Sequence, residues 1–279
     1  MPSIATRSRP LRDAALAFTL VTALPLRVEW PEAEERPDVA GWFPLVGAVL
    51  GLFGAAIVLA AGLLIGALGP AGVASYTFGP VALPLAVVVA VSWALATRML
   101  HWDGLADTAD GLGGASEPAA RRAIMSDSAT GAFGATAVVF VALAQVSALA
   151  AILGSEAKPL TLRVAIIVAV PVLGRLAATM ACWLGTPAGP GGLGASVMGR
   201  PSAAGALAAV TVLVACAVML SADAGVHGVA WFAAGIVIAG AVPHVLAGRV
   251  GGVTGDIMGA SVLLTEAATL LLATLVVIV

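Results

Sequence analysis

Charge is what this sequence has least of. Asp, Glu, Lys and Arg make up 10% of its 279 residues, where a soluble domain carries about 25%. From Val39 to Thr97 there is no charged residue at all. Hydrophobic residues make up 61%, and the mean hydropathy of +1.08 places the chain in the membrane class. The net charge of −2 gives no bulk attraction to nucleic acid. Cysteine is nearly absent: Cys182 and Cys216 both sit in apolar runs, as small buried hydrophobes do. They form neither a disulfide framework nor a metal motif. No Walker lysine follows the glycine-rich stretch Gly189 to Gly194, which excludes a P-loop. No internal repeat or second domain is visible, so residues 1–279 read as one membrane-embedded domain.

What is present is apolar sequence in lengths that cross a bilayer, about 20 residues each. Spans are expected at about 42–68, 79–100, 131–154, 160–185, 202–221, 226–247 and 258–278. The fold class is therefore all-α, a polytopic membrane bundle of about seven transmembrane helices. The apolar run Ala14 to Leu26 is too short to span. A signal peptide would need a small-x-small cleavage site, and none follows cleanly. The run is expected to be an amphipathic or half-inserted helix that Pro25 terminates. Ser116, before Glu117-Pro118, is expected to cap a short helix.

Basic residues set the orientation. With seven spans, Arg7, Arg9, Arg12, Arg27, Arg36, Arg98, Arg121, Arg122, Arg200 and Arg249 share one side, while Lys158 and Arg163 fall on the other. The arginine-rich side is expected to be cytoplasmic, in a cell (inner) membrane. The same parity gathers the motif-bearing loops onto that side.

The densest chemistry lies in His101-Trp-Asp-Gly-Leu-Ala-Asp-Thr-Ala-Asp-Gly-Leu-Gly-Gly114. On a helix, Asp103, Asp107 and Asp110 fall within an arc of about 60°. Carboxylates are costly near a bilayer, and hard oxygen ligands suit Mg²⁺. A solvated acidic turn between two spans is the plainer alternative. Asp127 is a further acid, either functional or a surface partner of Arg121 and Arg122. Asp256, in Gly-Gly-Val-Thr-Gly-Asp, either caps the last span or joins Gly255 in a turn where backbone N–H groups can meet phosphate. His101 suits a general base, a substrate contact or an interfacial structural role. His227 and His244 read as ordinary polar packing. Gly189 to Gly194 before Arg200 reads as either a connector or a phosphate cradle. Arg175 and Glu266 are charges inside spans, expected to pair within the bundle or to serve function.

The run HWDGLADTADGLGG resembles the signature of the adenosylcobinamide-GDP ribazoletransferase family, also called cobalamin synthase. Other pieces match in order: Phe18-Thr19 with Leu24-Pro25, Phe43-Pro-Leu-Val-Gly47, Arg122-Ala-Ile-Met125 with Asp127, Gly131-Ala-Phe-Gly134, and Gly251 to Ala260 with Glu266. Trp102 departs from the aliphatic residue expected there. The resemblance implies a polytopic membrane enzyme that joins adenosylcobinamide-GDP to α-ribazole or its 5′-phosphate and releases GMP. It implies Asp103, Asp107 and Asp110 as Mg²⁺ ligands and His101 or Asp127 as proton acceptor. Substrate contacts would come from Arg121, Arg122, Arg200, Gly255, Asp256, Arg175 and Glu266. The partners would be these small molecules and the lipid bilayer, with room for a homo-oligomer. A pyrophosphate diester adds about two negative charges to the three acids, so two divalent cations are expected to balance the site.

Two other readings compete. A Mg²⁺-dependent membrane prenyltransferase would need a second Asp-rich cluster on the same side, where only Asp256 offers itself. A transporter with an acidic cation site would place its acids at the bilayer midplane, within a repeat.

Overall fold

A computed structural model describes residues 8–28, 37–68, 78–189, 193–199 and 201–278. Ten helices run in chain order: α1 Arg9–Val21, α2 Phe43–Leu68, α3 Ala82–Ala96, α4 Leu100–Gly114, α5 Pro118–Met125, α6 Ala132–Gly154, α7 Leu160–Leu184, α8 Leu193–Val197, α9 Ala203–Val250 and α10 Gly255–Ile278. Short 3-10 turns, Ala40–Trp42 and Gly79–Val81, lead into α2 and α3. With no strand among the described residues, this is an all-α bundle.

Among the described residues, six helices are long and apolar enough to cross a membrane. One of them, α9, has 48 residues. Straight, it would reach about 72 Å, more than twice the hydrocarbon core. Gly225 breaks it, at φ 52° and ψ −133°, where side chains do not fit. A Cβ on Gly228 would lie 2.7 Å from the carbonyl oxygen of Leu220. In a straight helix those residues stand about 12 Å apart. The two legs, 203–224 and 226–250, therefore fold back as a hairpin. Counted as two, they bring the spans to seven, as the hydropathy pattern implies.

The bundle is built around α7, buried along nearly its whole length. Close approach comes from glycine: a Cβ on Gly51 would lie 2.6 Å from the backbone of Val168. Asp38 then ties three elements together. It accepts from the N–H of Gly41 at 3.1 Å and of Ser202 at 2.6 Å, and its own N–H donates to Asp13 of α1.

Two local expectations are corrected. The first helix stops at Val21 rather than at Pro25, because Thr22 is extended and its hydroxyl donates to the Phe18 carbonyl. The helix after Ser116 starts at Pro118 with Glu117 in the cap position, and Ser116 makes no cap hydrogen bond. The acidic motif follows the second span, as expected, and does so as a helix of its own. Arg98 and Met99 are left-handed, at φ 53° and 59°, and restart the chain as a separate helix, α4.

Candidate active site

Gly104 makes the site. It lies where α4 crosses the start of α10, and a Cβ there would stand 2.9 Å from the Cα of Asp256. His101 meets Gly259 in the same crossing. Behind it, Leu105 packs with Ala260 and Leu263. The contact sets Asp103 and Asp107 beside Asp256.

The start of α10 is built for exposure of its backbone. The Thr254 hydroxyl accepts from the N–H of Ile257 at 3.2 Å, which makes Thr254 the cap. The alternative of Asp256 as cap is thereby corrected, and the Asp256 carboxylate is left for the site, with the Thr254 hydroxyl at 3.4 Å. A Cβ on Gly255 would meet nothing within 4 Å, while Gly194 lies against the Gly255 nitrogen. Gly251 and Gly252, at φ 82° and 140°, turn the chain from α9 into α10. The turn then pairs with the loop after α7: Ala188 N–H donates to Val253 and Val253 N–H to Thr186, at 3.1 and 2.8 Å.

Between these parts lies a cavity of about 380 Å³. Its polar lining comes from His101, Asp103, Thr254 and Asp256. Leu20, Val21, Phe43 and Ala178 are among its apolar lining. His101 is 5% exposed, and its Nε2 has no hydrogen-bond partner among the described residues. Burial first, then the charge of Arg175, holds its pKa well below the ordinary value. The imidazole is therefore neutral near pH 7. Asp107 is pushed up to about 6, first by burial, then by the charges of Asp103, Asp256 and Asp110.

The other expected site residues have different surroundings. Both carboxylate oxygens of Asp110 accept backbone N–H groups at the start of α6, Gly131 at 2.7 Å and Gly134 at 2.8 Å. A Cβ on Gly131 would meet the same carboxylate at 2.5 Å, which accounts for glycine there. Arg121 donates to the carbonyls of Ala115 and Arg249, and Arg122 to Val250, closing the C-terminus of α9. Asp127 is exposed and accepts from the N–H of Ala129 in a local turn, away from the cavity. Arg175 and Glu266 pair in the bundle interior, both 3% exposed, with Gln145 donating to Glu266 at 3.4 Å. Neither lines the cavity. Arg200 lies outside the described residues, as do residues 190–192 of the glycine-rich loop, Arg7 and Arg36.

The sequence reading missed Thr254, Leu20, Val21, Phe43 and Ala178. Phe43 had a signal, as the first residue of the Phe-Pro-Leu-Val-Gly piece. Ala178 had none, being one alanine among many.

Among the described residues, no three His, Cys, Asp or Glu side chains stand close enough to hold a metal by themselves. Mg²⁺ is usually held by one or two carboxylates, waters and the substrate's phosphates. The carboxylates of Asp103, Asp107 and Asp256 fit that mode, since their charges act on one another and raise the Asp107 pKa.

Residues 13–274 match the family model for cobalamin-5-phosphate synthase. The chain belongs to that family. The adenosylcobinamide-GDP ribazoletransferase of Frankia casuarinae is 40% identical over 276 residues, covering 93% of each chain. That of Corynebacterium efficiens is 36% identical over 230 residues, covering 80% of this chain and 76% of its own. That of Syntrophobacter fumaroxidans is 35% identical over 254 residues, covering 88% and 90%. No solved structure matches. Membership in the cobalamin-5-phosphate synthase family disfavours the prenyltransferase alternative.

Proposed function

We propose that this chain is a membrane phosphotransferase joining adenosylcobinamide-GDP to α-ribazole or its 5′-phosphate, with release of GMP. One observation carries the site assignment: His101 and Asp103 of α4 and Asp256 of α10 face a single cavity. The family and its relatives supply the reaction.

A ribose hydroxyl of the acceptor attacks the cobinamide-side phosphorus of the pyrophosphate. The new P–O bond forms as the bond to GMP breaks, and the hydroxyl proton must leave. We assign the proton to His101, the imidazole that lines the cavity. Asp127, facing solvent in its own turn, is set aside for this role. The backbone around Gly255, at the positive end of the α10 dipole, approaches the phosphates. One or two carboxylates of the set Asp103, Asp107 and Asp256, with water and the substrate's phosphates, would hold Mg²⁺, which would neutralise charge on the pyrophosphate and on departing GMP. The arginine-rich end of the bundle carries this cavity, which supports a cytoplasmic active site in the cell membrane.

The test is GMP release by purified protein from adenosylcobinamide-GDP, α-ribazole and Mg²⁺. His101→Gln should lose at least about a hundredfold in turnover, and Asp127→Asn should stay near wild type. An active His101→Gln enzyme would refute the proton role.

A further inference from the structure

We infer that the apolar half of the cavity, walled by α1, α2 and α7, is the pocket for the flat aromatic base of the acceptor nucleoside. The inference rests on the reaction proposed above and adds where the acceptor lies and what selects it.

The lining is mostly apolar: His101, Asp103, Thr254 and Asp256 bring its polar side chains, on α4 and at the start of α10, while α1, α2 and α7 contribute only Leu20, Val21, Phe43 and Ala178. An amphipathic ligand is required, with hydroxyl or phosphate toward the acids and an apolar body opposite. Size decides between the two substrates. About 380 Å³ is near the lower end of the range for small-molecule pockets, about 300–1,000 Å³. A nucleoside fits such a volume, and a corrin ring with its side chains does not. The corrin of the donor therefore stays outside, with only its pyrophosphate reaching the acids. The base of α-ribazole, a benzimidazole with two methyl groups, has an apolar edge that matches aliphatic and phenyl walls.

The apolar wall is also fixed in place. Leu20 and Val21 belong to α1, which is tied down at three points. Arg98 donates to the Thr19 carbonyl at 3.3 Å, Ala23 N–H to Ala96 at 2.7 Å, and Asp38 N–H to Asp13 at 3.2 Å. Leu16 and Ala17 bury the inner face of the helix. Phe43 is 3% exposed and Ala178 7%, so neither swings freely. The first helix is thus part of the substrate site, beyond any role as a membrane anchor.

The test compares α-ribazole with the riboside of unsubstituted benzimidazole as acceptors, reading GMP release and separate KM values for acceptor and donor. Two buried methyl groups at about 0.8 kcal/mol each give wild type a preference of about tenfold for α-ribazole in kcat/KM. Ala178→Leu fills the pocket and should raise the KM for α-ribazole about tenfold, raise that for the smaller riboside less, and leave the donor KM unchanged. Leu20→Ala should shrink the wild-type preference to about threefold or less. Wild type without preference, or variants that shift both acceptors or the donor alike, would overturn the pocket. Because the wild-type comparison needs no variant, it decides the matter even where a substitution impairs folding. No GMP release by wild type with α-ribazole would instead overturn the reaction, and the pocket with it.

Discussion

Gly104 of α4 rests on the backbone of Asp256 at the start of α10, with no room for a Cβ between them. Everything polar in the cavity depends on that contact. Gly104→Ala should push the two helices apart by a few tenths of an ångström, at a cost of about 1–3 kcal/mol. The protein should still insert, because the spans are untouched, but turnover should fall at least about tenfold. Yield in membranes and GMP release, measured together, check this. A fully active Gly104→Val enzyme would remove the contact from the argument.

Asp107 and Asp110 should part company under mutation, although both lie in the same motif. Asp110 caps α6 through two N–H groups, so Asp110→Ala should cost about 1–2 kcal/mol of stability. Asp107 repels its neighbours, so Asp107→Asn should leave the melting temperature unchanged or raise it while abolishing turnover. Thermal unfolding in detergent beside GMP release separates the two. Equal destabilisation by both would contradict the assignment.

The Asp107 carboxyl ionises near 3.8 in an ordinary setting and at about 6 here. Between those values the folded protein holds the extra proton, so its stability falls as pH rises through the window. Bound Mg²⁺ would compete with that proton. Below about pH 6 the Mg²⁺ concentration for half-maximal activity should rise up to about tenfold per pH unit, and above it should level off. A flat Mg²⁺ requirement from about pH 5 to about pH 7.5 would exclude Asp107 as a ligand.

Spans and motif were legible because they are local. Apolar length marks α2, α6 and α7 without any knowledge of neighbours, and the i, i+4, i+7 spacing puts three acids on one helical face. The use of each polar group was not legible, because it depends on which helix end arrives beside it. Asp110 reads as a third metal ligand until the start of α6 takes both its oxygens. Arg121 and Arg122 read as phosphate contacts until the last carbonyls of α9 need donors. The break before α4 had no glycine or proline to announce it: Arg98 and Met99 themselves take left-handed conformations.

Arg175 and Glu266 should be worth more as a pair than either alone. Glu266→Gln leaves a buried guanidinium without its counter-charge, a loss of about 3–5 kcal/mol. Replacing both by methionine should recover most of that loss. Unfolding midpoints of the two single variants and the double variant form the cycle. Additive losses would show that the two side chains do not act together.

Asp107 and Asp223 should report opposite sides of the membrane. Asp223 lies just before the Gly225 turn of the α9 hairpin, while Asp107 lies beside the turn that opens α10. Cysteine labelling from either side at the two positions tests this. The same compartment for both would undo the hairpin.

The contact between Gly104 and Asp256 also has a consequence for biogenesis. One partner is made early, and the other arrives only with the last span described here. Until that span inserts, α4 has its acids but no opposite wall, so the cavity is incomplete. The cavity is thus completed in one step, when α10 meets α4, and the order of synthesis sets when that step can occur.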